Sequence, residues 1–300
     1  MVKSRLVLGT VQLGMSYGLR GGREPSKKEA FAILDEAVGH GINTFDTAAS
    51  YGSAEKILGE WMQRRGNTGE IFVITKMHSG AFGEKSVTAT DIVQGELERS
   101  LSRLQLERVD GFLLHDPTLL YRDDIVEALL KLKAKRLVGH VGVSVYDESD
   151  ALAAAKSALE YIQVPYNVLD QRLHKTKFFS LAREAGKTLF SRSALLQGLL
   201  TLQDVAVPAY LSVAKPYLDQ FRAIARDADR SPLAAAFQYA CVRSPAQHIV
   251  FGVDSIEQLR EIVRLANEAK DEPWMTTIEE TFRDVPRELV DPRLWQGPKA

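Results

Sequence analysis

The chain has 300 residues, of which 45% are hydrophobic and 26% are charged, a composition that excludes a disordered or fibrous chain and is typical of a globular protein. Lys and Arg together number 38, and Asp and Glu together number 39, so the net charge is −1. The chain therefore lacks the basic excess that is typical of a nucleic-acid-binding protein. Cys241 is the only cysteine, which excludes an internal disulfide and a zinc site built from several cysteines.

Short apolar runs alternate with longer amphipathic segments along most of the chain. Several of the runs are rich in Val, Ile and Phe, and all are too short for helices, as is typical of buried parallel strands. We therefore predict strands over residues 6–8, 42–45, 71–75, 109–114, 138–143, 161–164, 187–190 and 248–251.

The segments between the predicted strands have the pattern of helices. The first begins with Ser26, three residues before Glu29, which is a capping-box pattern, and it ends before Gly41. The predicted helices cover residues 26–40, 53–65, 91–104, 123–135, 147–159, 175–185, 232–242 and 256–269. An additional helix over 209–228, with Pro216 at its kink or start, precedes the last strand. Residues 271–300 form a C-terminal extension over one face of the fold.

This alternation of strands and helices predicts an α/β fold with a parallel sheet, because parallel strands need long crossover connections. Eight units favour a (β/α)8 TIM barrel, with one domain over residues 1–300. The alternative is a doubly wound open sheet. No glycine-rich dinucleotide fingerprint follows the first strand and no phosphate-loop motif occurs, which disfavours that alternative.

Polar side chains end three successive predicted strands. Asp46, Lys76 and His115 follow the second, third and fourth strands, and Tyr51 lies in the loop after the second. The carboxyl ends of barrel strands meet at one rim, where active sites of this fold lie. We therefore expect these four side chains to lie close together.

The four residue types permit proton transfer to a carbonyl oxygen. A lysine ammonium near a phenol favours the phenolate and lowers the phenol's pKa, and an aspartate keeps the lysine charged. A histidine beside the phenol can share its proton or orient a carbonyl oxygen, so that a developing alkoxide receives a proton. Each residue alone has an ordinary structural interpretation, such as a cap or a packed side chain, and it is the set that indicates catalysis. The set lacks a reductant, which a nicotinamide would supply.

Residues 41–55, from Gly41 through Asp46 and Tyr51 to Glu55, resemble the signature of the aldo-keto reductase superfamily, and the resemblance extends over nearly the whole chain. It implies a TIM barrel that binds a nicotinamide dinucleotide without a Rossmann domain. It also implies that Asp46, Tyr51, Lys76 and His115 form the catalytic tetrad, with Tyr51 as the general acid that reduces an aldehyde or ketone. The implied cofactor is NADP(H) by preference, with NAD(H) as a possible alternative.

The same resemblance implies a cofactor site. It is expected to include Gly9, Thr10, Asp46, Ser144, Gln163, Arg192, Ser193, Leu195, Gln197, Gly198, Gln258 and Glu261. Ser144 and Gln163 match residues that hold the carboxamide, and Arg192 stands where an aromatic side chain often stacks on the nicotinamide. Gly252 and Gln258 stand where some members carry basic residues for a 2′-phosphate, which leaves room for NAD(H).

The remaining expectations are less specific. Tyr17, His78 and Phe82 are candidates for the substrate pocket, and no clustered ligand set indicates a metal. No apolar stretch of about 18 residues and no secretory signal pattern is present, so we expect a cytoplasmic protein without a membrane partner. The identity of the carbonyl substrate and the oligomeric state stay open. Two alternative functions stay open as well, a cofactor-binding regulatory or sensor subunit and a cofactor-independent barrel lyase or isomerase.

Overall fold

The computed structural model of the protein describes residues 4–19, 21, 23–66, 69–78, 80, 88–203 and 206–295. Within these residues, eight parallel strands close into a barrel in chain order, which confirms the predicted (β/α)8 fold. The strands are β1 (Leu6–Gly9), β2 (Thr44–Asp46), β3 (Phe72–Met77), β4 (Val109–Leu114), β5 (Val138–Ser144), β6 (Tyr161–Pro165), β7 (Thr188–Arg192) and β8 (His248–Phe251).

The first strand closes the barrel because it pairs on both sides. Leu8 of β1 lies opposite Phe45 of β2, and Leu6 lies opposite Ile249 of β8. Alternate residues of each strand face the barrel interior, where Val7, Ile74, Leu113, Tyr161, Phe190 and Val250 form an apolar cluster. Two positions after Ile74, Tyr161 and Phe190, the same strands carry the polar residues Lys76, Gln163 and Arg192. The pleat of the sheet therefore carries polar side chains inward at the carboxyl rim.

Helices surround the barrel and follow the predicted segments with shifted ends. They are α1 (Val11–Gly14), α2 (Lys27–Gly39), α3 (Ala54–Arg65), α4 (Ala89–Leu104), α5 (Asp123–Ala134), α6 (Glu148–Lys156), α7 (Phe178–Glu184), α8 (Lys215–Asp227), α9 (Pro232–Arg243), α10 (Ile256–Glu268), α11 (Pro273–Thr281) and α12 (Arg287–Val290). The capping box of Ser26 and Glu29 is present at the start of α2. Within the described residues, no helix has both the length and the apolar character needed to cross a membrane.

The predicted helix over 209–228 is broken in the structure. A 3₁₀ helix covers Ala209–Ala214, and α8 begins at Lys215 with Pro216 in its first turn. Proline is tolerated there because its missing N–H has no partner in the first turn. The predicted helices over 147–159 and 175–185 are shorter as well, because α6 ends at Lys156 and α7 begins at Phe178.

The C-terminal extension packs against α8 rather than lying free. Met275 and Ile278 of α11 share a buried apolar cluster with Leu218 and Phe221 of α8. After α12, a short 3₁₀ helix, Pro292–Leu294, returns toward the residues that follow β5. The extension therefore reaches the carboxyl rim of the barrel, where the candidate site lies.

Candidate active site

A buried ion pair forms the floor of the candidate site. The ammonium Nζ of Lys76 lies 2.6 Å from Oδ2 of Asp46 and donates a second hydrogen bond of 2.9 Å to the carbonyl of Thr47. The Lys76 side chain is only 1% exposed. The other carboxylate oxygen of Asp46 accepts a hydrogen bond from the side-chain amide of Gln163. Both charges are thus compensated inside the barrel mouth, as buried charges must be.

Tyr51 lies above this pair in a tight turn after β2. Its ring centroid is 5.0 Å from the Lys76 ammonium, and its ring meets that of His115 edge-on, with centroids 5.7 Å apart. The turn packs directly on α1, since a Cβ at Gly14 would lie 2.3 Å from the carbonyl oxygen of Tyr51. Gly52 has a φ of 53° and approaches the carbonyl of Gly14 closely. The two glycines therefore allow the contact that positions Tyr51.

His115 is oriented by a residue that the sequence did not single out. The hydroxyl of Ser50 lies 3.1 Å from Nδ1 of His115. Burial, together with the nearby charges of Lys76 and Arg192, lowers the pKa of His115 to about 3. The imidazole is therefore neutral near pH 7. If Ser50 donates to Nδ1, the Nε2 atom carries the proton and can donate to a substrate oxygen.

The pKa of Tyr51 departs from the expectation drawn from sequence. Burial raises it well above its ordinary value, and the carboxylate of Asp46 raises it further, whereas the guanidinium of Arg192 lowers it. The lowering expected from the lysine is therefore not seen, because burial disfavours the charged phenolate. Burial also lowers the pKa of Lys76, and Asp46 opposes that change.

A cavity of about 550 Å³ opens above the ion pair. Ten of the predicted cofactor residues line it: Gly9, Asp46, Ser144, Arg192, Ser193, Leu195, Gln197, Gly198, Gln258 and Glu261. Tyr51 and His115 line it as well. Thr10 and Gln163 lie behind the lining, where Thr10 donates to the carbonyl of Asp46 over 3.2 Å and Gln163 binds its side chain. A cavity of this size and mixed lining is typical of a small-molecule site.

The loop after β7 contains a run of residues in the left-handed region of backbone conformation. Leu196, Gln197 and Gly198 have consecutive φ values of 47°, 53° and 88°, and Ser193 has a φ of 63°. The backbone closes this turn itself, since the N–H groups of Leu196 and Gly198 donate to the carbonyls of Ser193 and Leu195 over 2.9 Å each. Non-glycine residues adopt these values at a cost. The strain therefore lies where the resemblance expects the pyrophosphate.

A feature suited to an anion lies at the start of α10. Ser255 caps the helix by accepting from the N–H of Gln258 over 3.3 Å, and the Gln258 amide oxygen accepts from the N–H of Asp254 over 2.8 Å. Both Gln258 and Glu261 face the cavity. The partial positive charge of a helix N-terminus favours a nearby anion, whereas Asp254 and Glu261 add negative charge to the same part of the lining.

Two buried acceptors lack protein partners at this site. The side-chain oxygens Oε1 of Gln163 and Gln12 are buried without a hydrogen bond, and Gln12 lines the cavity. Buried unsatisfied acceptors are costly unless a ligand supplies donors. Amide donors such as those of a nicotinamide carboxamide or an adenine would satisfy them. Together with the loop after β7, the residues present fit a dinucleotide.

The predicted substrate residues have different positions. Tyr17 lines the cavity, and its hydroxyl accepts a 3.3 Å hydrogen bond from Gln197. His78 is exposed and lies outside the lining of the cavity, and Phe82 falls outside the described residues. Among the described residues, no group of three or more His, Cys, Asp or Glu side chains is placed to hold a metal ion.

Sequence reasoning missed several lining residues, and two of them, Gln12 and Tyr146, are polar or aromatic. Gln12 lies in the short helix α1 and Tyr146 follows β5, so both are near strand ends. The only signal in the sequence was that each residue lies near the end of a strand. Glutamine and tyrosine are too common near strand ends for that position alone to identify a site residue.

Comparison with known proteins agrees with this architecture. The model of the Aldo/keto reductase family matches residues 5–282. An uncharacterized oxidoreductase of Bacillus subtilis, YqkF, is 28% identical over 282 residues, which cover 88% of this chain and 89% of that protein. L-galactose dehydrogenase of Arabidopsis thaliana is 28% identical over 284 residues, which cover 88% of this chain and 85% of that one.

A solved structure from Pseudomonas aeruginosa, described as a candidate aldo-keto reductase, shares the fold. It superposes with a TM-score of 0.67 at 22% identity over 90% of this chain and 91% of that chain. Fold and family match together define an NAD(P)H-dependent barrel oxidoreductase. The chain belongs to the aldo-keto reductase family, and the resemblance found in the sequence is confirmed.

Proposed function

We propose that this protein reduces an aldehyde or ketone to an alcohol, with Tyr51 as the general acid. The observation that carries the proposal is the buried Asp46–Lys76 pair, with Tyr51 5.0 Å from the ammonium and His115 edge-on to the phenol. The reduced nicotinamide supplies the hydride that such a site lacks. Tyr51 supplies the proton, and its raised pKa keeps that proton on the phenol at neutral pH.

The other three residues support this proton transfer. Lys76 places a positive charge beside the phenol, which stabilises the phenolate left after donation. Asp46 holds the ammonium in place through the 2.6 Å contact. His115 is neutral, so it orients the carbonyl oxygen by donating a hydrogen bond and does not compete with Tyr51 as the acid.

We assign the dinucleotide to the 550 Å³ cavity. Ser144 and Gln163 would hold the carboxamide, and Arg192 would contact the nicotinamide. The side chains of Ser193 and Gln197 in the loop after β7 and the first turn of α10 would hold the phosphates. In this assignment, the named residues bind the dinucleotide and fix its orientation in the cavity.

The choice of nucleotide depends on charge. The family resemblance implies NADP(H), but the charges of the described lining favour NAD(H). Asp254 and Glu261 lie beside the start of α10, and Arg192, the only lysine or arginine among the described lining residues, lies at the end of β7. A 2′-phosphate near two carboxylates is repelled, and like-charge contacts cost several kcal/mol when desolvated. We therefore propose that NAD(H) binds at least as tightly as NADP(H).

A fluorescence titration with NADH and, separately, NADPH tests the cofactor proposal. Binding of NADH equal to or tighter than that of NADPH supports the argument from charge. Tighter binding of NADPH overturns the nucleotide preference but keeps the reductase. Absence of binding to either nucleotide refutes the reductase and directs attention to a cofactor-independent lyase or isomerase.

The role of Tyr51 is tested by Tyr51→Phe against a panel of aldehydes and ketones. We expect turnover to fall by about 10²–10⁴-fold, because the proton donor is lost, while the dissociation constant for the dinucleotide stays within about twofold. The matched control is Tyr210→Phe, since Tyr210 is exposed on the 3₁₀ helix Ala209–Ala214. Retention of full turnover by Tyr51→Phe would contradict the mechanism.

A further inference from the structure

The ring of Tyr146 lies between two arginines from distant parts of the chain. The guanidinium carbon of Arg192 is 3.9 Å from the ring centroid, and that of Arg293 is 4.1 Å from it. One face of a phenol ring has room for only one guanidinium at this distance. The two cations therefore cover opposite faces, and each contact is attractive because the ring faces carry partial negative charge.

The Arg192 side of this stack belongs to the cavity. Its Nε donates to Ser144 over 3.3 Å, and its terminal nitrogens donate to the carbonyl of Val145 over 2.9 Å and to Ser193 over 3.3 Å. Arg192 and Tyr146 both line the cavity. The hydrogen bonds of the Arg192 nitrogens and the contact with the Tyr146 ring together fix the position of the guanidinium in the cavity wall.

The Arg293 side belongs to the C-terminal extension and is firmly held. Its Nε donates to Asp291 over 2.9 Å and a terminal nitrogen donates to the other oxygen of the same carboxylate over 2.6 Å, a two-point contact. The same nitrogen lies 3.1 Å from a carboxylate oxygen of Asp147. The Asp291 side chain is 0% exposed. Arg293 is therefore fixed against the outer face of Tyr146.

A neighbouring arginine shares these acidic partners without the ring contact. Arg287 of α12 pairs with Asp147 and lies 3.5 Å from Asp291. Among the described residues, the cations against the Tyr146 ring are Arg192 and Arg293. Arg287 therefore offers a control that weakens the same acidic cluster but leaves the stack in place.

We propose that Arg293 is a positioning residue for the candidate active site. It fixes the ring of Tyr146, and through the ring it fixes the guanidinium of Arg192 in the cavity wall. The C-terminal extension thereby sets the shape of the wall where the nicotinamide and the carbonyl group would meet, an assignment that rests on the proposed function. The contact joins the cavity wall to a segment that follows Asp147 by 146 residues in the chain.

The loss of this contact has a defined expected size. A cation–π contact that is partly desolvated contributes roughly 1–2 kcal/mol. If it holds Arg192 in its binding position, Arg293→Ala weakens dinucleotide binding by about 5- to 30-fold. Arg293→Lys keeps the charge but not the planar two-point contact, so it recovers part of the loss. Arg287→Ala changes the dissociation constant by less than about twofold.

The test compares the three variants with the unchanged chain. Dissociation constants for NADH and NADPH come from fluorescence titration, thermal melting reports folding, and hydrogen exchange is followed in the peptides that cover 144–147 and 192–198. We expect Arg293→Ala to weaken binding and to speed exchange in both peptides, while Arg287→Ala lowers the melting temperature without either effect.

The outcomes separate this proposal from the proposed function. Equal effects of Arg293→Ala and Arg287→Ala on exchange and binding would show that the extension only clamps the fold, and the positioning role would then be wrong. If the unchanged chain binds neither nucleotide, the reductase function fails, and the exchange of 192–198 alone still decides whether Arg293 positions Arg192. Should Arg293→Ala fail to fold, Arg293→Lys is compared with Arg287→Lys in the same measurements.

Discussion

The ion pair of Asp46 and Lys76 makes the most demanding prediction about stability. The two charged atoms are 2.6 Å apart, which at an effective dielectric constant near 20 corresponds to an attraction of about 6 kcal/mol. Most of this attraction offsets the cost of burying the two charges. Asp46→Asn removes the attraction and leaves the buried ammonium uncompensated, so we expect a loss of about 3–5 kcal/mol in the free energy of unfolding.

The double variant distinguishes pairing from packing. Lys76→Met alone leaves a buried carboxylate, and we expect a similar loss of about 3–5 kcal/mol. In the double variant Asp46→Asn with Lys76→Met both charges are gone, so the losses do not add, and the coupling energy is about 3 kcal/mol or more. Gln163 can accommodate the new amide, because its Oε1 atom has no partner and can turn toward it.

The pH dependence of this prediction has a definite sign. Burial lowers the pKa of Lys76, and Asp46 opposes that lowering, so Asp46→Asn lowers it further. The unfolded state then binds more protons than the folded state between the lowered pKa and the ordinary value near 10.5. Stability therefore rises with pH in that window, and the loss caused by Asp46→Asn is largest below it.

Urea unfolding followed by circular dichroism at two pH values measures these quantities. The control is Asp124→Asn, the same chemical change in the exposed Arg122–Asp124 pair, whose side chains are 46% and 53% exposed. We expect that control to leave the free energy of unfolding nearly unchanged, because exposed ion pairs contribute little. Losses below 1 kcal/mol for Asp46→Asn, or additive losses in the double variant, would refute the argument that the charges are buried and coupled.

Two further predictions concern His115 and Gly14. Folding lowers the pKa of His115 from 6.5 to about 3, so the unfolded state binds the proton first as the pH falls. Stability is therefore lost between pH 6.5 and 3. His115→Gln should flatten that part of the curve of stability against pH, and an unchanged curve would contradict a buried neutral imidazole. Gly14→Ala places a Cβ 2.3 Å from the carbonyl oxygen of Tyr51, so we expect a loss of about 1–3 kcal/mol and a fall in turnover of more than tenfold. The control is Gly39→Ala, where a Cβ meets nothing within 4 Å, and equal turnover in both variants would exclude a positioning role for Gly14.

The sequence was sufficient to predict the barrel and the residues at its carboxyl rim. Both follow from the alternation of apolar and polar residues and from the spacing of the apolar runs. Ile74 and Lys76 are two residues apart on β3, and His115, directly after β4, follows Leu113 by two, so the pleat directs both pairs inward. Parallel neighbours then bring Asp46, Lys76 and His115 to one rim. The sequence alone supports this step, since it requires only that short apolar runs are recognised as strands.

What the sequence could not provide depends on long-range packing. The contact of Arg293 with Tyr146 joins segments with no shared periodicity, and the contact of Ser50 with His115 joins two loops. The break before α8 was also out of reach, because apolar spacing does not separate a 3₁₀ turn from an α-helix. The pKa of Tyr51 was misjudged for the same reason, since the degree of burial follows from the assembled fold.

The protonation states of the site support the proposed role of Tyr51 as the acid. His115, with a pKa lowered to about 3, holds no extra proton near neutral pH and cannot donate one as an imidazolium. Lys76 is held by two hydrogen bonds to Asp46 and Thr47 beneath the phenol, so it acts on Tyr51 rather than on a substrate in the cavity. Tyr51 lines the cavity and keeps its proton through the neutral range. Of Tyr51, Lys76 and His115, Tyr51 combines access to the cavity with a proton held at neutral pH, which is why we propose it as the acid in carbonyl reduction.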